Sequence, residues 1–302
     1  MSKNYLVIVV GPTGVGKTAF SVLLAQHFNT AILSADSRQL YKELNIGTAK
    51  PSSEEMKGVK HFFIDSASIT DNYTTADFEN DALVCLEKLY EKNNIAILCG
   101  GTGLYVDALC NGLDELPERD EKIREELMLL YEQKGIEGLQ EKLKHLDEVQ
   151  FNKMDNQNPQ RLIRTLEVCL LTGKPYSELH LGNKKQRNFT TIKVGLNMER
   201  ELLYERINSR VDDMIKKGLV EEAQTLYPNR ALNALQTVGY TELFDYFENK
   251  TDLPTAIEKI KQHSRNYAKR QLTWFRRDTE IRWFEPTDVQ AAIDYVKNAM
   301  QE

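Results

Sequence analysis

Gly11-Pro12-Thr13-Gly14-Val15-Gly16-Lys17-Thr18 sets three glycines, a lysine and a threonine at the spacing of a phosphate cradle. Glycines let successive backbone N–H groups turn onto one anion, the Lys17 ammonium adds a point charge, and the Thr18 hydroxyl is the expected protein ligand for Mg²⁺. Such a loop holds a polyphosphate, but by itself it does not say whether a phosphoryl group is transferred or departs. A second reactive group is Asp36, which follows a short apolar stretch at 31–34. At the carboxyl edge of a sheet, where open α/β folds bind ligands, a carboxylate can bind metal, orient a hydroxyl acceptor, or take a proton from an amine. It can also simply cap the next segment.

These groups need a frame, and the pattern around them supplies one. Residues 5–10 form an unbroken apolar run ending at the glycine-rich turn, as expected of a strand buried on both faces. A helix is predicted at 17–28, strands at 31–34, 61–64 and 95–99, and an amphipathic helix at 77–92. Strands alternating with helices predict an α/β fold built on a P-loop NTPase-like parallel sheet. Beyond residue 113 the pattern becomes acid-rich and helical, with no strong strand candidate up to about 185. Within it, Asn158-Pro159 reads as cap and first-turn proline, and Gly173 with Pro175 as a stop. Residues 189–196 return to strand character, followed by helices across 199–247 and 254–277. The expected organisation is a discontinuous catalytic core, 1–113 with 189–302, around an all-helical insertion at 114–188; the polar, basic stretch 182–187 is read as a flexible joint.

Across 302 residues, 41% hydrophobic and 28% charged content is the balance of a globular chain, not a disordered or fibrous one. The apolar run near the N-terminus is too short for a signal-peptide core or a membrane span, so no targeting segment and no membrane partner are expected. Cys85, Cys99, Cys110 and Cys169 show no paired spacing for zinc and read as reduced thiols in the cytoplasm. A net charge of -6 argues against nucleic acid, because phosphate neutralisation drives such binding. The average conceals segregation, however: residues 259–277 hold seven Lys or Arg and no acid, whereas 114–126 hold seven acids and three bases. On a helix, Ile257, Ile260, Ser264, Ala268, Leu272 and Phe275 would face the core. Arg265, Lys269, Arg270 and Arg276, with Tyr267 and Trp274, are left to grip a backbone and stack bases, although a basic helix is by itself more often a solvated face.

Asp36-Ser37-Arg38-Gln39-Leu40-Tyr41, followed by Ile46-Gly47-Thr48-Ala49-Lys50-Pro51, resembles the signature of the tRNA dimethylallyltransferases. Gly100-Gly101-Thr102-Gly103-Leu104-Tyr105, Asn158-Pro159-Gln160-Arg161-Leu162-Ile163-Arg164, Val238-Gly239-Tyr240 and the stretch from Arg265 to Arg276 resemble further blocks of the same family. The resemblance implies transfer of a dimethylallyl group from its pyrophosphate to the N6 amine of the adenosine 3′ of the anticodon. It implies a tunnel, with the donor entering at Gly11 to Thr18 and the anticodon stem-loop of tRNA reaching in from the other end. Asp36 is then the general base, Lys17 and Thr102 belong to the catalytic group, and Arg210 joins the loop on the donor phosphates. Asp36, Ser37, Arg38, Gln39, Thr102, Arg124, Gln160, Arg161, Leu162, Ile163, Arg164, Gly239, Tyr240, Arg265, Lys269 and Arg270 are expected at the RNA. Ending without cysteine or histidine pairs, the chain resembles the bacterial type and is expected to act as a monomer.

The competing reading is an ATP-dependent kinase for a small molecule or nucleotide, which uses the same loop and Asp36 but leaves the helical insertion and basic tail unexplained. A non-catalytic RNA-binding NTPase switch would need a strand ending in a nucleotide-sensing acid, and no convincing one is present.

Overall fold

The computed structural model describes residues 3–114, 116–180, 182 and 184–301. The strands are β1 (Tyr5–Val10), β2 (Ile32–Ala35), β3 (His61–Phe62), β4 (Ile95–Gly100), β5 (Thr190–Leu196) and β6 (Arg282–Phe284). The helices are α1 (Lys17–Phe28), α2 (Ser53–Met56), α3 (Thr75–Tyr90), α4 (Gly103–Asn111), α5 (Glu121–Leu146), α6 (Glu148–Lys153) and α7 (Pro159–Thr172). After them come α8 (Tyr176–Leu179), α9 (Arg200–Lys216), α10 (Leu219–Leu226), α11 (Tyr240–Phe247), α12 (Leu253–Phe275) and α13 (Val289–Gln301). No helix among the described residues is long and apolar enough to cross a membrane.

Two compact units result: residues up to Cys110 with those from Arg187 onward, and Asn111–Gln186. The boundaries read from the sequence were 113 and 189. In the first unit the strands form one parallel sheet in the order β3-β2-β4-β1-β5-β6. The central β1 is buried throughout because both faces are covered. Val7 and Val9 point into a cluster with Phe20 and Leu24 of α1, whereas Leu6, Ile8 and Val10 meet Phe78 of α3 and Tyr105 of α4. That two-sided burial is why the run reads as continuously apolar rather than alternating. A third cluster joins Leu40 and Leu44 to Leu219, Tyr240, Leu243 and Ile260 from α10, α11 and α12.

Several ends follow local chemistry read from the sequence. Asn158 caps α7 by accepting the Arg161 N–H at 3.2 Å, with Pro159 in the first turn and Gly173 closing the helix at φ 66. Asp252, which the sequence reading did not single out, caps α12 through the Thr255 N–H at 2.8 Å. The strand expected at 61–64 stops at Phe62, since Phe63 turns to φ 63. The short edge strand β6, together with α4 and α13, had no signal strong enough to be read. The expected joint at 182–187 includes Asn183, which lies outside the described residues.

The second unit is helical, without a strand among its described residues. Leu127, Leu139 and Leu143 of α5 pack on Leu162, Ile163 and Leu166 of α7, and α5 is broken at Gly135.

Gly100 ends β4 directly against β2, where a Cβ would run into the Ala35 carbonyl. Gly100→Ala is therefore expected to cost about 1–3 kcal/mol by overpacking, read as a drop of several degrees in Tm. An unchanged Tm would mean that the two strands spread apart without cost.

Candidate active site

In this strand order, β4 lies between β1 and β2. The turns after all three strands therefore meet at the carboxyl edge, bringing together the Gly11–Thr18 loop, Asp36 and Thr102. Gly11 must be glycine: its φ is 149, and a Cβ would sit 2.5 Å from the Leu196 carbonyl oxygen of β5. Helix α1 starts at Gly16, with φ 105, no side-chain cap and no acid in its first turn. Its first amides are thus left to an external anion. Lys17 Nζ donates to the Gly11 and Pro12 carbonyls at 3.0 and 2.9 Å. Burial lowers its pKa to about 8, with the like charge of Arg210 adding to the effect and Cys99 and Asp36 opposing it. On α9, burial also lowers the pKa of Arg210, which Asp36 counteracts, and its Nη2 donates to the Ala49 carbonyl at 3.3 Å.

Two cavities open on this edge. The larger, about 1030 Å³, is lined by Thr13, Gly14, Gly16, Lys17, Thr18 and Arg206 among others. The second, about 550 Å³, is lined by Ser37, Arg38, Gly239, His263, Tyr267 and Arg270 among others. Their walls share Thr13, Asp36, Thr48, Ala49, Arg210 and Met214. Among the described residues, Asp36 is the one acid common to both.

Asp36 Oδ1 accepts the Arg38 and Gln39 N–H groups at 2.9 and 3.3 Å, so this oxygen does cap the following turn. Oδ2 takes no hydrogen bond among the described residues. Thr102 Oγ1 accepts the Ser37 N–H at 3.0 Å and donates to Ser37 Oγ at 3.3 Å, tying the β4 turn to the β2 turn. Tyr267 keeps 37% of its surface exposed, yet its hydroxyl end is enclosed near Thr102. Its pKa is pushed up to about 12, first by burial and then by Asp36.

The residues expected at the RNA divide into groups. Ser37, Arg38, Gly239 and Arg270 line the second cavity, and Arg270 lies over the Tyr267 ring at 5.7 Å. Lys269 is exposed, and Arg265 is held by Asn208 at 2.6 Å. Gln39 instead braces a loop, donating to the Thr48 and Ala49 carbonyls at 3.2 and 3.3 Å. In the helical unit, Gln160 and Arg161 are exposed, while Arg124 and Arg164 pair with the fully buried Glu167 at 3.3 and 2.8 Å.

Three expectations require correction. Leu162 and Ile163 are buried in the core of their unit, and Tyr240 is buried in the third cluster of the sheet unit, so none of these side chains presents a face to RNA. The helical period that exposes Arg161 turns the next two residues inward. Trp274 also packs inward, donating to Asp107 Oδ2 at 3.1 Å.

Two further residues escaped sequence reasoning. Arg206 lies one turn before Arg210 on α9 and lines the larger cavity, a spacing of four that could have been noticed. Gln271 is buried on α12, accepts the Thr13 N–H at 2.7 Å and donates to the Gly101 carbonyl at 2.9 Å, thereby joining the loops after β1 and β4. Nothing in its sequence context marked it.

The model of the family described as IPP transferase matches residues 39–278. A tRNA dimethylallyltransferase of Flavobacterium johnsoniae is 53% identical over 300 residues, 97% of each chain. One from Christiangramia forsetii is 50% identical, covering 98% of each. Among solved structures, the full-length tRNA isopentenylpyrophosphate transferase of Bacillus halodurans superposes with a TM-score of 0.73 at 38% identity, over 99% of this chain and 97% of that one. A eukaryotic dimethylallyltransferase described as acting on tRNA gives 0.80 at 27% identity, over 98% and 80%. Similarity of this extent, over nearly the whole length of the bacterial relatives, means that the chain belongs to the IPP transferase family.

Proposed function

We propose that this enzyme transfers a dimethylallyl group from dimethylallyl diphosphate to the N6 amine of the adenosine 3′ of the anticodon in tRNA, releasing pyrophosphate. One observation carries the reading: Asp36 is the acid shared by two cavities, one ending on a phosphate loop and the other walled by the basic helix α12. A kinase would use the first cavity but gives no purpose to the second, and the family to which the chain belongs sets it aside.

The diphosphate lies on the amides opening α1, with Lys17 and Arg210 as its cations. The adenosine enters through the second cavity beside Asp36, at a small unstacking cost because it comes from a single-stranded loop. Its amine is a weak nucleophile, since the lone pair is shared with the ring. Holding it in line with the donor and stabilising the leaving group must therefore provide most of the acceleration. The N6 lone pair forms a bond to C1 of the donor, the C1–O bond breaks with its electrons leaving on pyrophosphate, and the N6 proton passes to Asp36. The Oδ1 contacts fix the carboxylate while Oδ2 faces the amine. Thr102 and Ser37 hold the turn beside it.

The donor set suits Mg²⁺. No group of three or more His, Cys, Asp or Glu able to cage a metal occurs among the described residues, and the larger cavity offers the Thr18 hydroxyl and Asp36. Such a sparse oxygen set fits an ion carried mainly by phosphate oxygens and water. Thr18 would hold it, and its charge would offset that building on the departing pyrophosphate. Four free cysteines accord with a reducing cytoplasm, where the tRNA is found.

Incubation with labelled dimethylallyl diphosphate and an unmodified anticodon stem-loop is expected to label the RNA. No labelling, with ATP-dependent turnover of a small acceptor instead, would sink this reading. Asp36→Ala should lower kcat by roughly 10²- to 10⁴-fold, the span of general-base effects, with RNA affinity retained; unchanged turnover would remove Asp36 from the proton transfer. Lys17 is charged below a pKa of about 8 and neutral above it. Donor kcat/KM, which reports the free enzyme, should accordingly fall as pH rises through that value, and Lys17→Met should abolish this limb. A wild-type profile flat across the range would separate donor capture from the Lys17 charge.

A further inference from the structure

Away from the reacting groups, Glu222 in the first turn of α10 is surrounded by donors. Its carboxylate accepts the backbone N–H groups of Asn45 at 3.2 Å, Ile46 at 2.9 and 3.1 Å, and Gly47 at 3.0 Å, as well as the Tyr240 hydroxyl at 2.6 Å. Three successive amides converging on one carboxylate form an anion nest in which the anion is a side chain. No Lys, Arg or His forms an ion pair with it among the described residues. Its charge is balanced by dipoles alone, including the start of α10. Burial, followed by the carboxylate, raises the Tyr240 phenol well above its usual range, so it remains a donor. Tyr240 also closes the site sterically, since a Cβ on Gly47 would lie 2.6 Å from its ring.

The segment held in this way leads directly to the cavities. Gly47, Thr48 and Ala49 line the second one, and the Ala49 carbonyl accepts Arg210 Nη2 at 3.3 Å. The Thr48 and Ala49 carbonyls also accept Gln39 Nε2, and Lys50 Nζ reaches back to the Tyr41 carbonyl at 2.8 Å. A shift of residues 45–47 would therefore displace the carbonyl that orients Arg210, a group that touches both cavity walls.

We propose that Glu222 is a positioning residue for prenyl transfer, clamping residues 45–47 so that Ala49 holds the Arg210 guanidinium on the donor diphosphate. The assignment rests on the reading that Arg210 binds that donor. Glu222→Ala removes the anion but leaves three N–H groups and a hydroxyl that a small carboxylate can refill. Glu222→Gln keeps the shape but puts an NH₂ where one oxygen accepted.

The test is steady-state transfer to an anticodon stem-loop, with and without added formate, alongside amide hydrogen exchange at residues 45–47. In Glu222→Ala, donor KM should rise roughly ten- to hundredfold, the weight of one or two charge-assisted hydrogen bonds, while kcat and RNA KM change less. Formate should restore donor KM in this variant and have no such effect on Arg210→Ala. Exchange at 45–47 should speed up in Glu222→Ala and slow again with formate. Glu222→Gln should lie between wild type and Glu222→Ala, and it decides the matter if the alanine variant does not fold. Donor KM equal to wild type in the folded variants, exchange at 45–47 unchanged by the substitution, or loss of activity indifferent to formate would each overturn the clamp. Failure of the prenyl-transfer reading would appear separately, as a wild-type enzyme that labels no RNA, whereas the exchange measurement needs no turnover.

Discussion

A half-buried ammonium set beside a second, half-buried cation is the constraint around which this molecule is arranged. Lys17 sits beneath its own loop, donating to two backbone carbonyls, with its pKa lowered to about 8 and a second, half-buried cation, Arg210, lining the same cavity. Taking both charges out of water is costly. Asp36, the one acid among the described residues that lines both cavities, uses one oxygen to cap a turn. On the proposed reaction a diphosphate is the polyanion that offsets this pair.

This arrangement makes sense for a reaction whose leaving group is the anion itself. On the proposed reaction, the cations and the amides at the start of α1, which line the larger cavity, would offset negative charge growing on the departing oxygen. The Asp36 carboxylate lines both cavities, the place from which it would take the amine proton. On that reading donor and acceptor need not pass each other, because each has its own cavity and Asp36 lines both.

Precision at that junction comes from polar side chains that touch neither reacting atom. Gln271 ties the loop after β1 to the turn after β4, Thr102 ties that turn to Ser37, and Gln39 with Glu222 fixes the segment bearing Ala49. Each satisfies backbone groups that would otherwise be free to reorient.

Much of this was written in local sequence. The glycine spacing of 11–18 demands a backbone that only glycine tolerates, β1 needs cover on both faces, and Asn158-Pro159 and Gly173 bound a helix by chemistry confined to a few residues. The strings around Asp36 and Thr102 carried the family resemblance. Tertiary structure alone decided the rest. It inserted β4 between β1 and β2, which is what brings Asp36, Thr102 and Lys17 together. It also turned Leu162, Ile163 and Tyr240 inward although they belong to blocks that resemble RNA-facing motifs, and it gave Gln271 and Glu222 partners 170 or more residues away. Backbone conformation and capping depend on neighbours a few residues apart and so can be read along the chain. Which side chain fills a cavity wall depends on strand order and helix rotation, which are settled only when distant segments pack.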